Sequence, residues 1–343
     1  MKTKALLSLL TLALGALPLL AELKYFPKDK EELIALLRDE RIKLDEIDTS
    51  KIKDMSYLFC EARKETGARE YTPECGDVVR KDYKGIEKWD TSNVESMSYM
   101  FWFNAKFNEP IGSWNVGKVK DMSGMFNNAI SFNQPLEKWD VSHVEDMNRM
   151  FVATPFNQPL NSWDVSNVKD MWGMFARATS FNQPLDKWNV GNVKDTHSMF
   201  SGATSFNQPL DKWNVGNVKD MGRMFWNATS FNQPLNSWNV ANVKDMSYMF
   251  LEAISFNQPL SSWNVSNVKD MSELFAKAIS FNQPLDKWDV GNVKNMTRIF
   301  YGAKSFNQDL SMWKVSKLKE WGVWEEMFEG SALEQDRKKR FKD

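Results

Sequence analysis

Apolar and polar residues in this chain follow two interleaved periods. Across residues 206–230, FNQPLDKWNVGNVKDMGRMFWNATS, the apolar positions are Phe206, Leu210, Trp213, Val215, Val218, Met221, Met224, Phe225 and Ala228. Trp213 and Val215 stand two apart with polar residues between and beside them, the alternation of a short half-buried strand. Met221, Met224, Phe225 and Ala228 fall at i, i+3, i+4 and i+7, one face of a two-turn helix, with Asp220 placed as its N-cap. Pro209 holds Gln208 extended and bars a helix there, so it marks a corner. The pattern predicts a coil of strand, corner, short helix and corner.

The coil recurs along most of the chain. Trp89, Trp114, Trp139, Trp163, Trp188, Trp213, Trp238, Trp263, Trp288 and Trp313 are 25 residues apart, with one step of 24 between Trp139 and Trp163. A fixed period of this size is the signature of a solenoid. One coil cannot bury its own apolar side chains. Stacked coils can, with strands paired in parallel at about 4.8 Å and Trp, Val, Met and Phe each in a column. The expected fold class is an α/β repeat solenoid, leucine-rich-repeat-like, of about 11 coils, each with a short parallel strand and a short helix, and helical caps at the ends.

The flanks divide the rest. Residues 1–21 carry Lys2 and Lys4, an apolar run from Ala5 to Leu20 and then Ala21, which reads as a secretory signal peptide cut after Ala21; an uncleaved transmembrane anchor is the rival reading. Residues 22–43 form an N-terminal cap, with an amphipathic helix expected over 28–43. The repeat array spans 44–313. It opens on a disguised coil, LDEIDTSKIKDMSYLF, with Ile47 in the Trp place, and an inserted loop follows at about residues 60–85. Residues 314–343 are a C-terminal cap, with Trp321 and Trp324 over the last coil and Phe328 three residues late, and a charged tail.

Without residues 1–21, 42 basic residues face 45 acidic ones. A near-neutral total speaks against a nucleic-acid partner, which needs a basic stripe. Cys60 and Cys75 lie 15 apart; in an exported chain a disulfide closing that loop contributes about 3 kcal/mol, and a metal pair is the rival.

The string FNQPLxxWxVSNVxDMxxMFxxAxSFNQ resembles the 25 to 26-residue repeats of bacterial surface proteins of the BspA leucine-rich-repeat type, over about residues 28–328. The resemblance implies a cell-surface adhesin or immunogenic protein that binds host proteins. The chain shows neither a lipid-anchor Cys at the end of residues 1–21 nor a wall-sorting signal.

Catalytic chemistry finds little purchase. His143 and His197 fall on different parts of the coil, and both read as surface residues. The residues after each Trp, among them Asp140, Asp164, Asn189, Asn214, Asn239, Asn264 and Asp289, form an outward column. Asp140 and Asp164 are the one pair there that suggests acid and base work or a Ca²⁺ site, against the plainer reading of a polar ladder. The Met and Trp columns are core, and the recurrent FNQ stacks Asn side chains into a ladder at the corner.

In a solenoid the repeated positions carry the fold and the variable ones carry recognition. Variety gathers on the outer face of the expected helices. The candidate protein-binding residues are Tyr99, Trp102, Trp172, Arg223, Trp226, Tyr248 and Leu251, mostly of the types that dominate interfaces. The expectation is an exported, non-catalytic repeat protein at the cell surface, secreted or periplasmic. It binds host or matrix proteins, has no cofactor, metal or nucleic-acid partner, and has no membrane-spanning segment once the leader is cut. A structural spacer of the envelope is the alternative, and an enzyme or Ca²⁺ protein using the Asp/Asn ladder the more distant one.

Overall fold

The computed structural model describes residues 22–61, 75, 78–315, 318 and 323–336. The expected signal peptide, Trp321 and the charged tail from residue 337 lie outside the described residues. The chain winds as a solenoid whose equivalent positions bridge in parallel from coil to coil, Asp54 to Ser96, Asp121, Asp146, Asp170, Asp195, Asp220, Asp245, Asp270 and Asn295.

Its core is built of aromatic columns. Each repeat Trp is buried and donates its indole Nε1–H to the carbonyl of a Leu or Ile 27 to 28 residues before it, as Trp213 does to Leu185 at 2.9 Å; Trp89, across the insertion, reaches back to Leu44 in the disguised first coil. Where consecutive indoles stack, as at Trp163 and Trp188, centroids lie 6.5 Å apart with planes 1° from parallel. A Phe column runs unbroken from Phe59 through Phe101, Phe200 and Phe225 to Phe328, with the Phe200 and Phe225 rings 5.8 Å apart. A second Phe column interleaves with it, Phe225 against Phe231 at 4.1 Å. The step of 24 removes one residue from the corner at 152–155, yet Phe156 still stacks between Phe132 and Phe181.

The α/β detail of the coil needs correction. Residues 221–228, expected as a helix, are a succession of tight turns, and residues 213–215, expected as a strand, are extended without a backbone ladder of their own. In the turn segment the N–H groups of Met221, Arg223, Phe225 and Asn227 donate to Asp245, Ser247, Met249 and Leu251 of the next coil at 2.7 to 3.0 Å. Those of Met224, Trp226 and Ala228 close turns on Met221, Arg223 and Phe225. Gly222 N–H goes to Asp220 Oδ1 at 2.8 Å, so the expected N-cap opens a turn instead. Every N–H from 221 to 228 is thereby paired. A helix of this length is marginal by itself, and it would spend the N–H groups of its second turn on its own carbonyls instead of on the next coil. The turn chain links coils through bonds worth about 1 kcal/mol each.

This geometry places Arg223 and Asn227 at φ 57° and 53°, in the left-handed region, and the equivalent pair in the other regular coils does the same. Gly fills some of these places. At Gly124, φ 57°, any Cβ would run into the Tyr99 ring lying over it from the coil before.

The N-terminal helix is shorter than the expected 28–43. The N-terminal helix α1 spans Lys30–Leu37, capped by Asp29, whose Oδ1 accepts from Glu32 N–H at 2.9 Å, and it buries Leu33 and Leu37. Lys30 ties it to the first coil through Asp54 and Ser56 at 3.0 and 2.8 Å. Buried Arg80 donates to the carbonyls of Leu37, the last helical residue, and of Ile42 beyond it. The helix α2, Val323–Phe328, closes the far end, where the carbonyls of Met327 and Glu329 accept from Phe300 and Gly302. The disguised first coil sits directly beneath the coil of Trp89, with Ile47, Met55, Leu58 and Phe59 buried.

Cys60 and Cys75 are joined, with Cα atoms 5.1 Å apart. The returning leg of the insertion, assigned to a loop from sequence, is core: Tyr83 packs edge-on against Phe59 and Phe107 in the place of a missing Phe, and burial pushes its hydroxyl up to about 12. That hydroxyl accepts from Asn104 Nδ2 at 2.6 Å.

Two substitutions test this arrangement by denaturation midpoint. Glu273, at φ 52°, changed to Gly should raise stability by about 1 kcal/mol, because a left-handed site favours Gly; a helix there would lose about that much. Trp213→Ala should cost about 3 to 5 kcal/mol and Trp226→Ala under about 1 kcal/mol. Equal losses from the two Trp changes would sink the inward assignment of the Trp column.

Candidate functional site

The left-handed residues turn their side chains along the solenoid, over the neighbouring coil. The Arg149 guanidinium lies 3.8 Å above the Trp172 ring. Arg223 lies 4.9 Å from the Tyr248 ring and 5.6 Å from that of Trp226, and Arg298 lies 5.5 Å from Tyr301. Tyr57 and Tyr99 stack at 5.2 Å, and Trp172 approaches His197 at 6.4 Å. Cation–π contacts of this kind contribute about 0.5 to 1 kcal/mol at exposed sites, so they hold the side chains in place without hiding them.

The seven candidate residues do not form one surface. Trp102 and Leu251 are 8% exposed, which corrects their assignment to a binding face. Trp102 packs against Cys60, with Cys75 and Tyr99 around it, and so serves the disulfide. Tyr99 is half-buried, and burial raises its hydroxyl pKa. Trp172 is half-buried beneath Arg149. Arg223, Trp226 and Tyr248 do come together on adjacent coils, and Trp226, 37% exposed, is the open member.

An apolar groove was not foreseen. Ile254 and Ile279 are exposed on adjacent coils beside Tyr301, Gly302 and Gly330, and the Glu252–Lys277 ion pair of 2.8 Å stands at its edge; the groove measures about 460 Å³. The signal was Ile at a place where Thr179, Thr204 and Thr229 stand in earlier coils.

The polar ladders are bonded locally. Asp140 and Asp164 each accept at Oδ1 from the N–H two residues on, at 3.0 Å, and the Ser142 hydrogen bonds hold the Asp140 carboxyl below its usual range. The expected Asn ladder takes the form of backbone N–H to side chain, Asn207 to Asn182 Oδ1 at 3.0 Å and Asn232 to Asn207 Oδ1 at 2.9 Å. His143 is exposed beside Ser142, whereas His197 Nδ1 lies 3.1 Å from Asp220 Oδ1. Among the described residues no three His, Cys, Asp or Glu are grouped to hold a metal ion, and no helix is long and apolar enough to cross a membrane.

A second acidic column, missed in the sequence, is the bridged one of Asp121, Asp146, Asp170, Asp195, Asp220, Asp245 and Asp270. Burial, then the neighbouring carboxylates, raises the pKa of Asp146, Asp170 and Asp195. Burial acts on Asp220 in the same sense, but hydrogen bonds from His197 and Gly222 outweigh it and lower its pKa.

A family model described as "Mycoplasma protein of unknown function, DUF285" matches residues 76–178, 152–254 and 233–340. The matches overlap, as windows laid on a continuous array do. No curated protein and no solved structure matches the chain.

The acidic column makes a pH prediction. A raised folded pKa means that the folded chain is favoured while the carboxyl is protonated, below the unfolded pKa, and that this stability is lost as pH rises through the folded pKa. Asn295 already serves in this column, its Oδ1 accepting Thr297 N–H at 3.1 Å. Changing Asp146, Asp170 and Asp195 together to Asn should therefore raise the melting temperature at pH 7. The gain should shrink as pH is lowered through the carboxylate range.

Proposed function

The chain belongs to the DUF285 repeat family, a membership that carries no activity, and from that premise we propose that it is a non-catalytic, protein-binding solenoid acting outside the cell. The carrying observation is the open cluster of Arg223, Trp226 and Tyr248: an Arg held between two aromatic rings, one of them exposed, on a frame of bonded coils. Preorganised Arg and aromatic side chains carry most of the energy of protein interfaces. The leader of residues 1–21 supports export, and the FNQPLxxWxVSNVxDMxxMF string supports kinship with BspA-type surface proteins, hence a host or matrix protein as partner. The expected helical coil of that type is not part of the proposal, since turns take its place. The competing reading, a structural spacer, draws on the end-to-end ladders and predicts no ligand.

The test is capture of matrix and host proteins with residues 22–343, followed by measurement of the dissociation constant for the protein recovered. Arg223→Ala with Trp226→Ala should weaken binding at least about tenfold and leave the melting temperature nearly unchanged. Asn214→Ser with Asn239→Ser, on the Trp side of the coil, should do little. Loss of binding from the Asn changes alone would move the site off this cluster.

A further inference from the structure

The near-neutral total charge conceals a strongly ordered arrangement. Lys169, Lys194, Lys219, Lys244, Lys269 and Lys294 occupy one position in successive coils, and their own backbones join them in register: Lys194 N–H donates to Lys169 O, Lys219 to Lys194, Lys244 to Lys219, Lys269 to Lys244 and Lys294 to Lys269, all at 2.8 to 2.9 Å. At parallel-bridge spacing the row is about 24 Å long. Like charges directly opposite one another across a ladder destabilise it.

The same column shows what the fold does elsewhere. In the preceding coils it reads Lys53, Glu95, Lys120, Glu145 and Lys169, alternating in sign, with Lys53 paired to Glu95 at 3.5 Å and Lys169 paired to Glu145. From Lys169 onward the alternation stops. Lys194, Lys219, Lys244 and Lys294 make no ion pair among the described residues, and their side chains are exposed. The acidic column beside them does not neutralise the row by contact. Asp195, Asp220, Asp245 and Asp270 are half-buried, each with Oδ1 on the N–H two residues on. Packing therefore gives no reason for the uniform lysines at 194, 219, 244 and 294.

We propose that this lysine row is a binding track for a linear sulfated polysaccharide. A Lys ammonium acts as a point charge with freely turning donors, which suits successive tetrahedral oxyanions along a flexible chain. The row is flanked by amides. Asn192, Asn217, Asn242 and Asn267 each spend Nδ2 on a carbonyl of the coil before, at 2.6 to 2.8 Å, which fixes the amide and leaves Oδ1 to accept from sugar hydroxyls. No aromatic residue lies between Asn189 and Lys194, or at the equivalent positions of the next three coils. Single-stranded nucleic acid depends on such aromatic platforms for its bases, so the flank favours sugar over base. This track lies on a different flank from the Arg223–Trp226 cluster and stands independently of protein binding there.

The experiment titrates the full chain against a fluorescent heparin oligosaccharide at low salt, with hyaluronate and oligo(dT) in parallel. Binding to heparin should weaken steeply as salt rises, as expected when several cations replace counterions. Changing Lys194, Lys244 and Lys294 to Glu restores the alternation. Affinity should then fall at least about tenfold while the melting temperature holds or rises. The Gln versions should lose affinity in the same direction, and Lys84→Glu, Lys106→Glu and Lys304→Glu together, with the same change in net charge, should leave it largely intact. Four results would each overturn the proposal: no heparin binding by the unmodified chain, equal loss in the control, hyaluronate as tight as heparin, or oligo(dT) as tight as heparin.

Discussion

The solenoid depends on a division of backbone labour in the turn segment. Alternate N–H groups close turns within their own coil and the others reach into the next. No coil can satisfy its backbone alone, just as none can bury its Trp and two Phe rings alone. The period follows from this: a coil must return each of these donors to the same height over its neighbour, and the corners take up any difference. The corner at 152–155, one residue short, shows where that freedom lies, since the columns on either side continue undisturbed.

Much of this was legible in the sequence because burial leaves a direct mark on composition. The Trp clock, the inward Met and Phe positions, the disguised coil at Ile47, the Cys60–Cys75 pair and the Asn corner all follow from residue type and spacing. What misled was the run Met221, Met224, Phe225, Ala228. A chain that turns inward every three to four residues writes the same apolar pattern whether it coils as a helix or as a series of tight turns. The discriminating signal was Gly at 124, 173, 202 and 302, near the middle or end of the supposed helix, where Gly is disfavoured unless the backbone is left-handed. The seven-residue site was only partly legible for a related reason. Trp102 and Leu251 sit at variable positions, and variability suggested exposure, but Trp102 varies because it meets a disulfide that only the first coil has.

The repeat also separates its surfaces. The turn side gathers Arg and aromatic residues that differ from coil to coil, whereas the Trp side repeats Asn and Lys almost unchanged. A surface of the first kind presents a local shape and suits a folded partner. The second presents a periodic array, and a periodic array matches something that is itself a polymer.

The two flanks of each coil donate in opposite directions. Backbone N–H groups of the turn segment point toward the C-terminal end of the stack, while the Trp indoles, the Asn and Gln corner and the lysine backbones point toward the N-terminal end. An α-helix aligns its peptide dipoles and accumulates partial charge at its tips. Here the two sets oppose one another along the axis. Each coil added to the stack brings both sets with it, so an array of any length lacks the one-way alignment that a helix builds.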